Sequence, residues 1–215
     1  MLNAGKPVYE YAVASRALTG ERQSGDASLV QATNNGVLIA VVDGLGHGNE
    51  AAEAAATTIN ILREYANEPI ISLFQRCHEN LQKTRGAVMA LAALESTQSM
   101  LTWAGIGNIE AILIASRQDP LRKDRYLTNR NGVVGYRLPA IETKSMIISP
   151  GDLLVFATDG IHERFLSEEF SRGAPDQLAR LILERHGKTT DDALVLVLRW
   201  LGCSVVTEES NHHAC

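Results

Sequence analysis

Hydrophobic residues along the chain fall in short runs separated by polar, glycine-bearing breaks, the pattern of a strand-rich protein. Val8 to Leu18 alternates through Tyr9, Tyr11 and Val13 and predicts a first strand. The polar loop Thr19–Asp26 follows, then a short strand near Ala27 to Ala32. Asn34-Asn35-Gly36 is a turn signal, and Gly36 to Val42 is wholly apolar or glycine, which suits a buried strand. These two strands read as an antiparallel hairpin. Gly86 to Glu95, Ser99 to Gly107 and Ile109 to Ser116 predict three successive strands. Thr143 to Ile148 and Asp152 to Thr158 predict two more around Pro150-Gly151, and Ala193 to Trp200 a last one. Helical spacing appears in Asn49–Asn67 (Ala52, Ala55, Ala56, Ile59, Leu62). It recurs from Glu68-Pro69 to about Lys83 (Ile71, Phe74, His78, Leu81) and from Pro175 to Gly187 (Leu178, Leu181, Ile182, Leu183). Ile161 to Ser167 reads as one short helix, and His78 as a half-buried or surface histidine rather than a ligand.

Composition narrows this picture. The 215 residues suit one domain, here residues 1–205, followed by a polar tail, 206–215, whose adjacent His212 and His213 read as incidental. No apolar run approaches the roughly 18 residues a membrane helix needs, and no apolar signal core follows Met1–Lys6. Membrane attachment is therefore not expected. Cys77, Cys203 and Cys215 are odd in number and scattered, so neither a disulfide framework nor a cysteine zinc site is expected, and a reducing cytoplasm fits. The net charge of −5 argues against nucleic acid as a partner. Charge reverses locally. Ser116 to Arg130 holds four arginines and one lysine, with Arg137 and Lys144 beyond. This stretch is either a solvated loop or an electropositive rim for a phosphorylated partner.

The candidate chemistry lies where apolar strands end. Asp43 closes the central strand and runs into Gly44-Leu45-Gly46-His47-Gly48; Asp159-Gly160 closes another; Asp191-Asp192 precedes the last. Asp26 begins the hairpin partner, so counting along the hairpin brings Asp26 near Asp43. An acid at the end of a core strand is costly to desolvate without compensation. Converging carboxylates with no lysine or arginine in their motifs repel one another. A hard divalent cation resolves that conflict, and oxygen-only ligands select Mg²⁺ or Mn²⁺ over zinc or copper. Two such ions bridged by one aspartate suit hydrolytic attack on phosphorus. Gly44-Leu45-Gly46 also resembles part of a dinucleotide-binding turn, but that fingerprint needs a glycine where Asn49 stands and a parallel sheet.

Ser24-Gly25-Asp26, Asp43-Gly44-Leu45-Gly46-His47-Gly48, Ala104-Gly105-Ile106-Gly107-Asn108, Ala157-Thr158-Asp159-Gly160 and Asp191-Asp192, in this order, resemble the motifs of metal-dependent protein phosphatases of type 2C. The resemblance is closest to their SpoIIE-like bacterial branch and spans about residues 8 to 200. It implies an α+β fold, a four-layer αββα sandwich of two antiparallel sheets flanked by helices. It also implies a centre of two Mn²⁺ or Mg²⁺ ions at one end of the sandwich. Asp43 would bridge the ions and the Gly44 carbonyl would ligate one. Asp159 and Asp191 would complete the sites, and Asp26 would bind directly or through water. Asp191 rather than Asp192 matches the family's metal acid. His47 stands either as the proton donor to the leaving oxygen or as a loop-shaping residue. The sequence departs from the family pattern near Leu194, where the family carries a threonine, and at Arg22, whose spacing differs from that of the eukaryotic phosphate-binding arginine. The implied activity is hydrolysis of phosphoserine or phosphothreonine on STAS-domain proteins of a stressosome-like complex. The alternative is a phosphatase-like module that binds partners without catalysis.

Overall fold

The structure is a computed structural model that describes residues 7–116, 122–167 and 173–203. The N-terminal six residues, the tail 206–215 with its two histidines, and residues 117–121 of the charged loop lie outside the described residues.

Ten strands among the described residues form two antiparallel sheets. One is ordered β2-β3-β4-β5-β8, from Asp26–Ala32, Gly36–Gly44, Ala87–Glu95, Met100–Ile106 and Lys144–Ile147. The other is ordered β1-β10-β9-β6-β7, from Pro7–Arg16, Ala193–Cys203, Leu153–Ala157, Glu110–Ile114 and Arg125–Tyr126. Helices α1 (Asn49–Glu64) and α2 (Ile70–Leu81) cover the first sheet, and α3 (Pro175–His186) covers β1 and β10 of the second. The predicted αββα sandwich is therefore found, and its antiparallel ladders leave no place for a parallel dinucleotide-binding fold. Ile161–Ser167 differs slightly: only Glu163–Ser167 is helical, and as a 3-10 turn.

Strand parity divides the core into three layers. Successive side chains on a strand point to opposite faces. In β3, Leu38, Ala40 and Val42 pack under α1 and α2, while Val37, Ile39 and Val41 fill the space between the sheets. In β4, Met89 and Leu91 take the helix side and Val88, Ala90, Ala92 and Leu94 the inter-sheet side. In β9 and β10, Leu154, Phe156, Leu194, Leu196, Leu198 and Trp200 complete that middle layer, and Val155, Val195 and Val197 pack under α3. The near-continuous apolar runs of β3, β4 and β10 follow from burial on both faces.

Two helical stripes are rotated from their predicted positions. In α1 the buried set is Ala51, Ala54, Ala55, Thr58, Ile59 and Leu62, so Ala52 is only half-buried and Ala56 is exposed. In α2, Ile70, Leu73, Phe74, Cys77 and Leu81 are buried and Ile71 is exposed. His78 is half-buried, as expected, and its Nδ1 accepts a hydrogen bond from the Gly135 N–H at 3.0 Å.

The basic stretch requires a correction. Arg122 is not part of a free rim: its guanidinium lies 2.8 Å from Asp152, a carboxylate with no exposed surface. Asp152 also accepts the N–H groups of Ser116 and Ser149, so Arg122 neutralises a buried charge that holds two loops. Lys123 and Arg125 remain exposed. Arg122→Ala is expected to destabilise the fold by about 3 kcal/mol, because it strands the buried carboxylate. Urea unfolding checks this; a change within about 0.5 kcal/mol, the range of ordinary surface substitutions, would place the pair outside the fold's support.

Candidate metal centre

The middle layer ends in acids. The parity that puts Val37, Ile39 and Val41 between the sheets continues to Asp43, and that of Val30 runs back to Asp26. These two are direct partners in the β2–β3 ladder. On the facing sheet, the row Leu154, Phe156 continues to Thr158, and the row Leu198, Leu196, Leu194 continues back to Asp192. All four positions lie at one end of the sandwich, with Asp159 and Asp191 next to them in the chain.

Hydrogen bonds then distinguish the acids. Thr158, fully buried, donates its hydroxyl to Asp26 Oδ2 at 2.7 Å and accepts the Leu194 N–H at 2.9 Å. This link fixes Asp26 across the sheet interface. Asn108 Nδ2 donates to Asp159 Oδ2 at 2.7 Å. Asp192 accepts the Leu18 N–H on one oxygen and the Gly25 N–H on the other, each at 2.7 Å. Both of its oxygens are thus committed to holding the β1–β2 loop. Asp191 accepts only the Asp192 N–H, at 2.9 Å, among the described residues. No described residue donates a hydrogen bond to the Asp43 carboxylate.

Two glycines permit the close approach of the loops. A Cβ on Gly44 would lie 2.1 Å from the Ala51 carbonyl at the start of α1, and one on Gly160 would lie 1.8 Å from the Asp192 carbonyl. The Gly44 N–H donates to the Gly25 carbonyl at 3.0 Å, which ties the two metal-motif loops together. His47 lies outside the acid cluster. Its Nδ1 is 2.9 Å from Glu21 Oε1 and the ring is exposed. Arg85 pairs with Glu50 beside the same loop.

Burial and mutual repulsion raise the acids' pKa values. Asp43 is pushed up to about 8, first by burial and then by Asp26, Asp159, Asp191 and Asp192. Asp26 is pushed up to about 7, mainly by burial, with the Thr158 hydroxyl acting in the opposite direction. Asp159 is also raised, by burial and by Asp191, while Lys188 pulls it down. Among the described residues, no three His, Cys, Asp or Glu side chains close into a ready-made metal cage. The donor chemistry nonetheless fits hard divalent cations. It consists of carboxylate oxygens at the end of an apolar layer, one of them without a donor and several pushed toward neutrality by their surroundings.

The sequence alone assigns no functional role to Thr158, Asn108 or Lys188. Parity could have found Thr158, which continues the Leu154–Phe156 row. Register could have found Asn108, because Glu110 pairs with Ala157 and the antiparallel ladder carries Asn108 toward Asp159. Lys188 carries no such signal.

An αββα sandwich with carboxylates gathered at one end is the architecture of metal-dependent protein phosphatases of type 2C. The chain belongs to the family of Stage II sporulation protein E (SpoIIE), whose model matches residues 33–201. It is 24% identical over 179 residues to the phosphoserine phosphatase RsbX of Bacillus subtilis (strain 168), covering 83% of this chain and 88% of that protein. A solved chain of the bacterial stressosome, described as a modular system adapted to control secondary messenger signalling, is 33% identical. It covers 89% of this chain and 100% of its own length, with a TM-score of 0.80. The crystal structure of RsbX in complex with magnesium has a TM-score of 0.79 at 22% identity, covering 89% of this chain and 95% of that one. The family is one of metal-dependent serine/threonine phosphatases, as the motifs implied.

The raised acids make a prediction for the metal-free protein. A carboxyl whose folded pKa lies above its unfolded value contributes stability that is full below about pH 4 and is lost as pH rises through the folded value. From Asp26 and Asp43 that loss falls between about pH 4 and pH 8. Metal-free protein should therefore melt lower at pH 8 than at pH 5.5, and Asp43→Asn should shrink the difference. Thermal melts in chelator at the two pH values check this. Equal pH dependence in the two proteins would mean that Asp43 is not the repelled group.

Proposed function

We propose that this chain is a catalytic phosphatase that removes phosphate from phosphoserine or phosphothreonine on STAS-domain proteins of a stressosome-like complex. The observation that carries the reading is the convergence of inter-sheet parity rows on Asp26, Asp43 and the Thr158–Asp159 turn. Nothing in the packing of an apolar layer requires carboxylates there, and their mutual repulsion is a cost that only a cation-dependent role offsets. Membership of a phosphatase family supports the reaction class. The name of RsbX and the stressosome origin of the 33% identical chain support the substrate class.

In this reading Asp43, shared between two Mn²⁺ or Mg²⁺ ions, the Gly44 carbonyl, Asp159 and Asp191 would hold the ions, and Asp26 would bind one directly or through water. When bound, such cations supply an activated water for in-line attack and neutralise phosphate charge. Thr158 keeps the Asp26 carboxylate in one orientation, and Asn108 does the same for Asp159. Asp192 holds the surrounding loops and is not a ligand. His47, paired with Glu21, steadies the Gly44–Gly48 loop. Residues 1–205 form the single catalytic domain. A reducing cytoplasm suits the free Cys77 and Cys203.

The test is release of phosphate from phosphorylated STAS proteins, compared with and without chelator and after Mn²⁺ is restored. Asp43→Asn should reduce turnover more than about 100-fold, beyond the typical effect of a residue that only supports a ligand. Turnover that survives chelation, or that the Asp43→Asn substitution leaves intact, contradicts the proposed centre. Absence of turnover by the metal-loaded chain would favour the non-catalytic binding module. Exposed Lys123 and Arg125, changed together to Glu, should raise KM for the phosphoprotein and leave turnover of a small phosphate ester unchanged. Equal effects on both substrates would remove this edge from substrate docking.

A further inference from the structure

A phosphate dianion has to enter a site already crowded with carboxylates, and one basic side chain comes from outside every recognised motif to stand beside them. Lys188 lies between α3 and β10. Its Nζ donates to the Asp159 carbonyl oxygen at 2.5 Å, its backbone N–H donates to the Gly160 carbonyl at 2.7 Å, and its own carbonyl accepts from the Arg16 guanidinium at 2.5 Å. The residue is thus pinned at three points, two of them on the turn that carries Asp159. The side chain is half-buried, close to the acids yet in reach of solvent.

We propose that Lys188 holds the phosphoryl group of substrate and product at the acid cluster, through the ammonium donors not used by the Asp159 carbonyl. This inference deepens the phosphatase reading and rests on it. An ammonium has three donors and no acceptor, and among the described residues one donor is engaged. A compact point charge on a flexible stem suits a phosphoryl oxygen. Three nearby cations are engaged by other partners: Arg16 by the Lys188 carbonyl, Arg85 by Glu50, and His47 by Glu21, while Arg22 is exposed on the loop before Asp26. Lys188 is also the positive charge among the leading influences on Asp159. A purely structural lysine would serve the Asp159–Gly160 turn equally well as a neutral donor, and this separates the two roles experimentally.

Lys188→Gln keeps a donor for the Asp159 carbonyl and removes the charge; Lys188→Arg keeps the charge. Calorimetric titration of the Mn²⁺-loaded full chain with inorganic phosphate reads binding without turnover. Lys188→Gln is expected to weaken phosphate binding about tenfold or more, the range for a lost charge-assisted hydrogen bond, and Lys188→Arg to stay within about threefold. Mn²⁺ affinity should not fall, because loss of a nearby positive charge favours a cation. In turnover, Lys188→Gln should raise the phosphate inhibition constant and KM together. Phosphate binding unchanged in Lys188→Gln, no phosphate binding by the parent chain, or a parallel fall in Mn²⁺ affinity would each overturn the inference. A parent chain that binds phosphate through Lys188 but hydrolyses no phosphoprotein would sink the activity reading and, with it, the substrate role proposed here, leaving only a phosphate-binding lysine.

Discussion

Like charges at the end of an apolar layer are the constraint on which the rest of this structure turns. In β3, β9 and β10 the rows that fill the inter-sheet space are apolar until their last inward position, where the residue becomes Asp43, Thr158 or Asp192, and Asp26 of β2 pairs with Asp43. Burial raises the pKa of such acids, and proximity to one another raises it further. A protein that keeps them ionised loses stability by the arrangement, and either protonation or a bound multivalent cation restores it. Fold and chemistry are therefore one problem here: the sandwich that buries the apolar rows is also the device that brings remote carboxylates to a common edge.

The neighbouring aspartates Asp191 and Asp192 show how finely that edge is divided. Though adjacent in the bend before β10, the two carboxylates meet different partners. Asp192 points its oxygens at the backbone of the β1–β2 loop and is consumed by two hydrogen bonds. Asp191 is left with capacity to spare. The same division holds between Thr158, buried and committed to Asp26, and Asp159, steadied by Asn108 from the next strand. Asp191 and Asp159 thus each stand next to a residue whose side chain is fully engaged in hydrogen bonds.

Much of this was legible in the sequence, and the failures have physical causes. Most of the successive strands, the Asn35-Gly36 hairpin and the Asp26–Asp43 pairing follow from period-two patterning and turn chemistry, which are local. The rotation of α1 was not legible, because alanines at positions 51, 52, 54, 55 and 56 make almost any face look small and apolar. In α3 the buried His186 escaped because a polar residue gives no hydrophobic signal, and Leu181 and Leu183 only flank the buried stripe. Arg122 looked like part of a charged surface, since its buried partner Asp152 is 30 residues away. Lys188 was invisible for the same reason in a sharper form. What gives it meaning is the Asp159 carbonyl, and a backbone oxygen leaves no trace in residue identity.

The pairing of β1 with β10 has a consequence for how the chain is made. The first sheet consists of strands between Asp26 and Ile147, most of them joined to their sequence neighbours, and can zip up as they emerge from a ribosome. The second sheet cannot: β1 has to wait, unpaired along its whole length, for a partner synthesised about 180 residues later. Because Asp191 and Asp192 arrive only with that partner, a nascent chain holds Asp26 and Asp43 in place on the first sheet and cannot assemble the full set until translation of β10 is complete.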